Sequence, residues 1–303
     1  DRFKHSSGSS FNFDTTTTQE SSGPDGFGNS LKITPDSVVT PSGGENGIIE
    51  QYIEGQNLQQ LAFGTSSAKS ITISWYAKSA ASNANDQYTV WVQMYNSAGN
   101  RFIQNKAFTV TASWQRFSIT FTGNTSENII NDTSIGLRFS WEDSNFWTAV
   151  TGQSNFMDNT SNEFHLSGVQ VEAGDVATDF EHLSFADELR RCQRYCYVHT
   201  EGLNKSIGNA TYWTSSSVFC PVFFPCQMKG APSMTVANDG SGYWYGWLSN
   251  GGNNNEKGDN WSLAISGIQG AEIYDPAASG TAGHSCFGRT QDASAKISFS
   301  AEL

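Results

Sequence analysis

Long runs of period-two alternation constrain this chain more than any other feature of its sequence. In ITISWYAKS (residues 71–79), apolar side chains occupy every second position from Ile71 to Ala77, with polar residues between most of them. QRFSITF (115–121) and IGLRFSW (135–141) repeat the pattern. Because successive side chains of a strand point to opposite faces, each segment predicts a half-buried strand with one face in water.

Eight or nine such segments precede residue 180, and turns rich in Gly, Asn, Asp and Pro separate them. No helical pattern interrupts the series. This arrangement favours two packed antiparallel sheets and an all-β class. Residues 198–303 contain further strand patterns, so we expect a second, smaller β domain there.

One helix is predicted between the two β regions, over residues 184–197. Ser184 can cap its N-terminus together with Asp187, and the basic residues follow later in the helix. Spacings of four, three and four place one apolar stripe on it, consisting of Phe185, Leu189, Cys192 and Cys196. The expected organisation is a sandwich over 1–183, a connecting helix over 184–197 and a C-terminal β domain over 198–303. The helix stripe could pack on these domains or on neighbouring subunits.

Charge and hydropathy exclude several classes of function. The formal net charge is −12 at pH 7, and no run of Lys or Arg forms a basic patch, so we expect no nucleic-acid partner. No stretch approaches 18 consecutive apolar residues, so we expect no membrane insertion. No nucleophile-elbow, zinc-protease or phosphate-loop motif appears, so we expect a protein that is not an enzyme.

The first candidate ligand site lies in TVWVQMYN (89–96). Alternation assigns the apolar residues from Val90 to Met94 to the core, which leaves Trp91, Gln93 and Tyr95 on the opposite face. An aromatic ring and planar polar groups on a wet face suit glycan binding. Alternatively, a loop or another subunit covers Trp91. Tyr76, Arg138 and His165 would join this face only if their strands belong to the same sheet.

The second candidate site is the aromatic segment YWYGW (243–247), beside a loop rich in Gly and Asn. Such composition is typical of recognition loops. It predicts glycan contact by Tyr243, Tyr245 and Trp247, with Trp244 and Trp261 as neighbours. Packing in the core or between subunits is the alternative reading of the same rings.

The segment from Phe164 to Tyr195 resembles a region of bacteriophage virion proteins, especially tail fibres and related appendages. The resemblance rests on an apolar strand, a glycine, a short Ala-Thr-x-Phe-Glu motif and a helix. The matching positions are Gly168, Val169, Gln170, Val171, Glu172, Gly174, Ala177, Thr178, Phe180, Glu181, Glu188, Leu189, Cys192, Gln193, Arg194 and Tyr195. The departures are Val171 for Leu, Asp179 for Pro and Cys196 for Tyr; they are conservative for the fold and say nothing about function.

This resemblance implies a tail-fibre or spike component, assembled in the host cytoplasm and displayed on the virion, that binds host-surface polysaccharide. It implies a homotrimer that contacts other virion proteins. A capsid-decorating or head-fibre protein without a specific ligand is the alternative hypothesis, and a glycan depolymerase is the third.

The first region also resembles jelly-roll carbohydrate-binding modules. That resemblance implies a jelly-roll β-sandwich and no catalysis. It implies no cofactor apart from a structural Ca²⁺, for which Asp25 and Glu172 are the candidate ligands by analogy.

Overall fold

The computed structural model of the 303-residue chain describes residues 3–7, 15–39, 47–142, 154–240, 244–248, 255–258 and 261–302. The chain divides into two compact units, Arg2–His182 and Leu183–Leu303. All of the strand pairs described in either unit are antiparallel, so the predicted all-β class is confirmed.

The described part of the first unit contains ten strands: β1 (Lys4–Ser7), β2 (Thr15–Glu20), β3 (Ser30–Pro35), β4 (Gly47–Glu54), β5 (Ile71–Ser79), β6 (Gln87–Tyr95), β7 (Arg101–Thr109), β8 (Gln115–Phe121), β9 (Ile135–Glu142) and β10 (Phe164–Ala173). Sheet A has the order β1-β4-β9-β6-β7, and sheet B has the order β2-β3-β10-β5-β8. Short 3₁₀ helices span Gly55–Leu61, Ala81–Asn83 and Phe156–Asp158. The predicted jelly-roll β-sandwich is confirmed.

The core of the sandwich is formed by the apolar positions that the alternation predicted. Ile73 and Trp75 of sheet B and Leu137, Phe139 and Trp141 of sheet A are all buried. The ring centroids of Trp75 and Trp141 lie 5.6 Å apart, edge to face, so the two sheets meet through aromatic contacts. Burying one full face of each sheet is what stabilises the two layers.

A glycine bulge corrects the alternation within β10. Phe164 and Leu166 point into the core, and so do Val169 and Val171, which breaks the two-residue period by one. The pairing of β10 with β5 shifts at this point, and Gly168 adopts a φ of +56°. A left-handed residue here keeps all four apolar side chains on one face, and glycine adopts that conformation without steric cost.

Residues 174–182 form a strap against the outer face of sheet B. The Glu172 carboxylate accepts hydrogen bonds from the Thr178 hydroxyl at 2.6 Å and from the Thr178 N–H at 3.2 Å. The Glu181 N–H donates to Gln170 Oε1 at 2.8 Å. Phe180 packs against Phe27 with 5.0 Å between centroids. The Ala-Thr-x-Phe-Glu motif therefore fixes the end of the first unit to its own sheet.

Replacing Gly168 with Ala is expected to lower the free energy of unfolding by about 2–4 kcal/mol. An added Cβ would lie 2.7 Å from Cζ of Phe27 and 3.0 Å from Cδ2 of Tyr76, and the left-handed backbone adds its own cost. Gly99→Ala is the matched control, because Gly99 has a φ of +77° and nothing lies within 4 Å of the position that an added Cβ would take. In urea denaturation, the control should lose only about 1 kcal/mol of its free energy of unfolding. Equal losses in the two variants would show that the Phe27 side chain moves aside without cost.

The second unit begins with helix α1 (Phe185–Gln193). Ten strands follow it among the residues that the structure describes: β11 (Cys196–Glu201), β12 (Ser206–Thr214), β13 (Ser217–Phe223), β14 (Ser233–Ala237), β15 (Tyr245–Leu248), β16 (Asn255–Gly258), β17 (Ser262–Ser266), β18 (Gly270–Asp275), β19 (Ser285–Thr290) and β20 (Lys296–Ser300). Sheet C has the order β11-β20-β14, and sheet D has the order β16-β15-β19-β12-β13-β18-β17. Side chains from both sheets form a single core, including Ile297 and Phe299 of sheet C and Tyr212 and Trp247 of sheet D.

Helix α1 starts where the sequence predicts and ends earlier. Ser184 is the N-cap, and its hydroxyl oxygen accepts the Asp187 N–H at 3.2 Å. The helix ends at Gln193 instead of 197, because Cys196 already pairs with β20. No helical residue is buried, and Phe185 and Leu189 are exposed, so the stripe is not part of a core in the described chain. Packing of the stripe on neighbouring subunits stays a prediction. No helix among the described residues is both long and apolar enough to cross a bilayer.

Candidate functional site

The order β4-β9-β6-β7 in sheet A gathers polar and aromatic side chains on its outer face. The pairing register sets Tyr52 beside Arg138 and Arg138 beside Gln93, and the next row sets Glu50 beside Ser140 and Ser140 beside Trp91. These side chains alternate with those of the core, so they share the opposite face of the sheet. We call this surface the tyrosine–arginine face, and it comprises Glu50, Tyr52, Trp91, Gln93, Tyr95 and Arg138.

A buried carboxylate lies at the centre of the face. Glu50 is only 1% exposed, and it forms an ion pair with the Arg138 guanidinium. The Tyr52 hydroxyl donates a hydrogen bond to Glu50 Oε1. Burial, followed by the hydrogen bond to this carboxylate, raises the pKa of the Tyr52 hydroxyl well above its usual range. Tyr52 therefore stays protonated and serves as a hydrogen-bond donor.

Trp91 lies beneath Arg138. The guanidinium carbon of Arg138 is 4.8 Å from the centroid of the Trp91 ring and 5.9 Å from that of Tyr52. Trp91 itself is 3% exposed. Stacking on the indole face and pairing with Glu50 together hold the guanidinium in one orientation.

Gln93 and Tyr95 form the second half of the face. Gln93 is fully buried, and its Oε1 accepts the Tyr95 hydroxyl at 2.9 Å. The Gln93 Nε2 group has no hydrogen-bond partner among the described residues. Tyr95 is only partly buried, so part of this residue is accessible from outside.

Several other buried polar atoms of this face also have no hydrogen-bond partner within the described part of the chain. They are Thr89 Oγ1, Trp91 Nε1, Arg138 Nε and Ser140 Oγ. Buried polar atoms are nearly always hydrogen-bonded in folded proteins, because an unmet donor or acceptor costs about 1–3 kcal/mol. Their clustering distinguishes this side of sheet A from an ordinary solvent-facing sheet surface, because the polar atoms here are buried.

The face therefore has two layers. Glu50, Trp91 and Gln93 form a buried support, and Tyr52, Tyr95 and Arg138 lie above it, partly exposed. The prediction that Trp91, Gln93 and Tyr95 share one face is consistent with the register. Trp91 and Gln93 are buried, which agrees with the alternative that Trp91 is covered, and their contact with a glycan stays a prediction. Arg138 joins the face as the sequence allowed, whereas Tyr76 and His165 lie in sheet B. Tyr52 was not anticipated, although its alternation with Ile53 in GIIEQYIE placed it opposite the core.

A polar pocket adjoins one end of this face. It is lined at the β6–β7 turn by Asn96, Asn100 and Arg101, and Arg101 pairs with Tyr95 across the two strands. The Asn96 amide donates to Glu127 Oε2 at 2.5 Å. Phe63 and Phe102 supply apolar walls. The pocket therefore presents amide and charged side chains next to the strand pair that carries Tyr95.

The second predicted site is contradicted by burial. Tyr245 is fully buried and Trp247 is 1% exposed, because β15 pairs with β19 inside sheet D. The Trp247 Nε1–H donates to Asp275 Oδ2 at 3.4 Å, and its ring lies 4.3 Å from that of Trp261. These rings are core residues and cannot contact a glycan. Tyr243, the third residue of this prediction, lies outside the described residues.

The two candidate Ca²⁺ ligands lie in different surroundings. Asp25 is exposed in the turn between β2 and β3. Burial alone would raise the pKa of Glu172, but hydrogen bonds from Thr178 and Gln170 outweigh it and lower that pKa. Among the described residues, no group of three or more His, Cys, Asp or Glu could hold a metal ion. A structural Ca²⁺ stays a prediction.

No protein-family model matches the chain, and no curated protein matches it. Its fold is similar to parts of solved structures at low identity. The CBM22-1 xylan-binding domain of Paenibacillus barcinonensis Xyn10C has a TM-score of 0.34 and 12% identity, covering 58% of this chain and 87% of that one. The family 11 carbohydrate-binding module of Clostridium thermocellum Lic26A-Cel5E has a TM-score of 0.33 and 12% identity, covering 59% and 91%.

A third similar structure is the enzymatically active domain of bacteriophage CBA120 tailspike protein 4. Its TM-score is 0.33 at 10% identity, and the match covers 57% of this chain and 19% of that one. The jelly-roll fold of the first unit is established by its own strand order and register.

Proposed function

We propose that the first unit binds a host-surface glycan through the tyrosine–arginine face. One observation carries this proposal: Tyr52, Tyr95 and Arg138 lie partly exposed above a buried layer whose polar atoms lack partners in the described chain. Sugar rings present apolar C–H faces that stack on aromatic rings, and hydroxyls that pair with planar polar groups. Two tyrosines beside a fixed guanidinium offer both kinds of contact on one surface.

The orientation of the contact residues is set before a ligand arrives. Glu50 holds both Tyr52 and Arg138, and Gln93 holds Tyr95. Fixing these side chains in advance lowers the entropic cost of ordering them on binding. The arrangement suits binding. Glycoside hydrolysis needs two carboxylates, and the described residues that define the tyrosine–arginine face include only one, that of Glu50.

The wider role we propose is that of a phage tail-fibre or spike component. The support for it is the sequence resemblance from Phe164 to Tyr195, whose Thr178 and Phe180 hold the strap in place. As a homotrimer attached to other virion proteins, the chain would present several equivalent faces. Linked sites convert weak single contacts into useful avidity by raising the effective concentration. A capsid-decorating protein is the alternative.

Tyr95→Ala is expected to weaken glycan binding by at least about tenfold, because it removes a partly exposed aromatic side chain that lies opposite the core. The measurement is a screen of host polysaccharides and oligosaccharides on a glycan array, followed by calorimetry on the best ligand. Trp114→Ala is the matched control, since Trp114 is a partly buried aromatic near Lys78 and His165 of sheet B.

Equal losses in the two variants would locate binding elsewhere. Failure of the unmodified chain to bind any host glycan would favour the decorating role. Release of reducing ends from a bound glycan would instead identify a depolymerase.

A further inference from the structure

The outer face of sheet D carries aromatic residues on neighbouring strands. Opposite the buried side, the register aligns Thr211 with Phe219 and Phe219 with Tyr274, and Asn209 aligns with Phe287. We call this surface the aromatic face, defined by Trp213, Phe219, Phe223, Tyr274 and Phe287. The Phe219 and Tyr274 rings stack at 5.2 Å, and Trp213 lies 6.3 Å from Phe219.

Such an aromatic composition is unusual for a sheet face that is exposed to solvent. The inner side of sheet D already packs on sheet C, so the outer side should carry polar residues at alternate positions. Instead Trp213, Phe223 and Phe287 are 76%, 79% and 63% exposed. An aromatic side chain presents about 150–250 Å², so these three alone leave on the order of 400 Å² of apolar surface in water. Apolar area of this extent matches the largest patch of a typical monomer, which is often functional.

Two charges of opposite sign flank the aromatic face. Arg289 points outward from β19, and Glu272 points outward from β18. Strands β19 and β18 are separated by β12 and β13, so three strand spacings, about 14 Å, lie between them. Neither side chain makes a hydrogen bond or ion pair within the described residues. The outward residues between them, such as Asn209 and Thr211, are uncharged.

We propose that the aromatic face is the contact surface between copies of this chain. Turning two such faces toward each other, or several toward one axis, can bring Arg289 of one copy against Glu272 of another. An uncharged aromatic centre with a charged rim is the usual anatomy of a protein interface. The chain carries a net charge of −12, so copies repel in general and approach best where the surface is neutral. The inference deepens the proposed function, since a symmetric assembly supplies its repeated glycan sites.

The first test measures the mass of the full chain by sedimentation equilibrium. We expect a multiple of the 33.0 kDa chain mass. The double variant Phe223→Ser/Phe287→Ser should sediment as a single chain, while Leu203→Ser, an exposed apolar residue in the turn before β12, should not change the mass. A single-chain mass for the unmodified protein at about 100 µM, above the Kd of a typical specific interface, would overturn the proposal. Circular dichroism confirms that each variant is folded.

A charge-swap series tests whether the occupant is a second copy. Arg289→Glu and Glu272→Arg each place like charges together, and each should weaken self-association by at least about tenfold. Combining the two substitutions restores opposite charges and should recover most of that loss. Because both positions are on the surface, none of the variants should fail to fold. If the double variant self-associates as weakly as the single variants, Arg289 and Glu272 do not pair between copies.

Failure of this inference is distinguishable from failure of the proposed function. The dissociated Phe223→Ser/Phe287→Ser variant keeps the tyrosine–arginine face, so it should bind soluble oligosaccharide with unchanged single-site affinity and lose avidity for polymer. If the protein forms the oligomer but binds no glycan, the proposed function is wrong and the aromatic face still stands as the contact surface. If the unmodified protein is a monomer that binds glycan, the proposed function stands and the inferred contact surface is wrong.

Discussion

Replacing Arg138 with Met is expected to lower the free energy of unfolding of the first unit by about 3–5 kcal/mol. The substitution leaves Glu50, which is 1% exposed, without its cationic partner. Removing one member of a buried ion pair costs far more than the pair itself contributes, because the remaining charge is neither solvated nor paired. The Trp91 ring also loses the guanidinium stacked 4.8 Å above it.

Chemical denaturation at pH 7 measures this effect, and the double variant Arg138→Met/Glu50→Gln separates its cause. Gln cannot carry a charge, so the double variant should regain a large part of the stability that Arg138→Met loses. Lys296→Met is the control, since the Lys296–Glu201 pair is largely exposed and should contribute less than about 1 kcal/mol. If Arg138→Met also cost under about 1 kcal/mol, the Glu50 carboxylate would have to be reached by water.

Replacing Trp247 with Ala is expected to destabilise the second unit by about 3–5 kcal/mol. The ring is 1% exposed, packs 4.3 Å from Trp261 and donates to Asp275, which is itself buried. Truncation therefore opens a large cavity and leaves the Asp275 oxygen without that donor. Thermal melts followed by near-ultraviolet circular dichroism measure the loss.

The same variant separates a core role for Trp247 from a glycan-contacting one. Glycan binding by the first unit should persist at temperatures where the Trp247→Ala chain remains folded. Leu203→Ala, at a half-exposed apolar residue, is the stability control and should change the free energy of unfolding by less than about 0.5 kcal/mol. Loss of glycan binding with unchanged stability would contradict the burial of Trp247.

Alternation predicted which side chains face the core, because that information is local. Ile73, Trp75, Leu137 and Phe139 lie where the period of two puts them. The register between strands distant in sequence is not local, and only the pairing of β4 with β9 brings Tyr52 to Arg138. The sequence therefore placed Trp91, Gln93 and Tyr95 on one face, allowed Arg138 to join them, and missed Glu50 and Tyr52.

The side of a strand that is buried was harder to predict where both sides carry aromatic or mixed residues. The Trp91 side of β6 is a buried polar layer, although opposite-to-core positions usually face water. Glycines and asparagines beside Trp247 suggested a loop, whereas β15 is an interior strand of sheet D. In SVFCPVF, apolar residues fill both faces, so nothing in β13 itself indicated that Phe219 and Phe223 point outward.

The strap has a mechanical consequence for a chain that is pulled from its C-terminal side. Tension arriving at His182 meets the Phe180–Phe27 contact and the Thr178–Glu172 hydrogen bonds before any strand of the sandwich. These contacts can detach and re-form while β10 stays in its sheet. The segment would then release a few residues of extra chain length before the tension reaches β10 and the strands that pair with it.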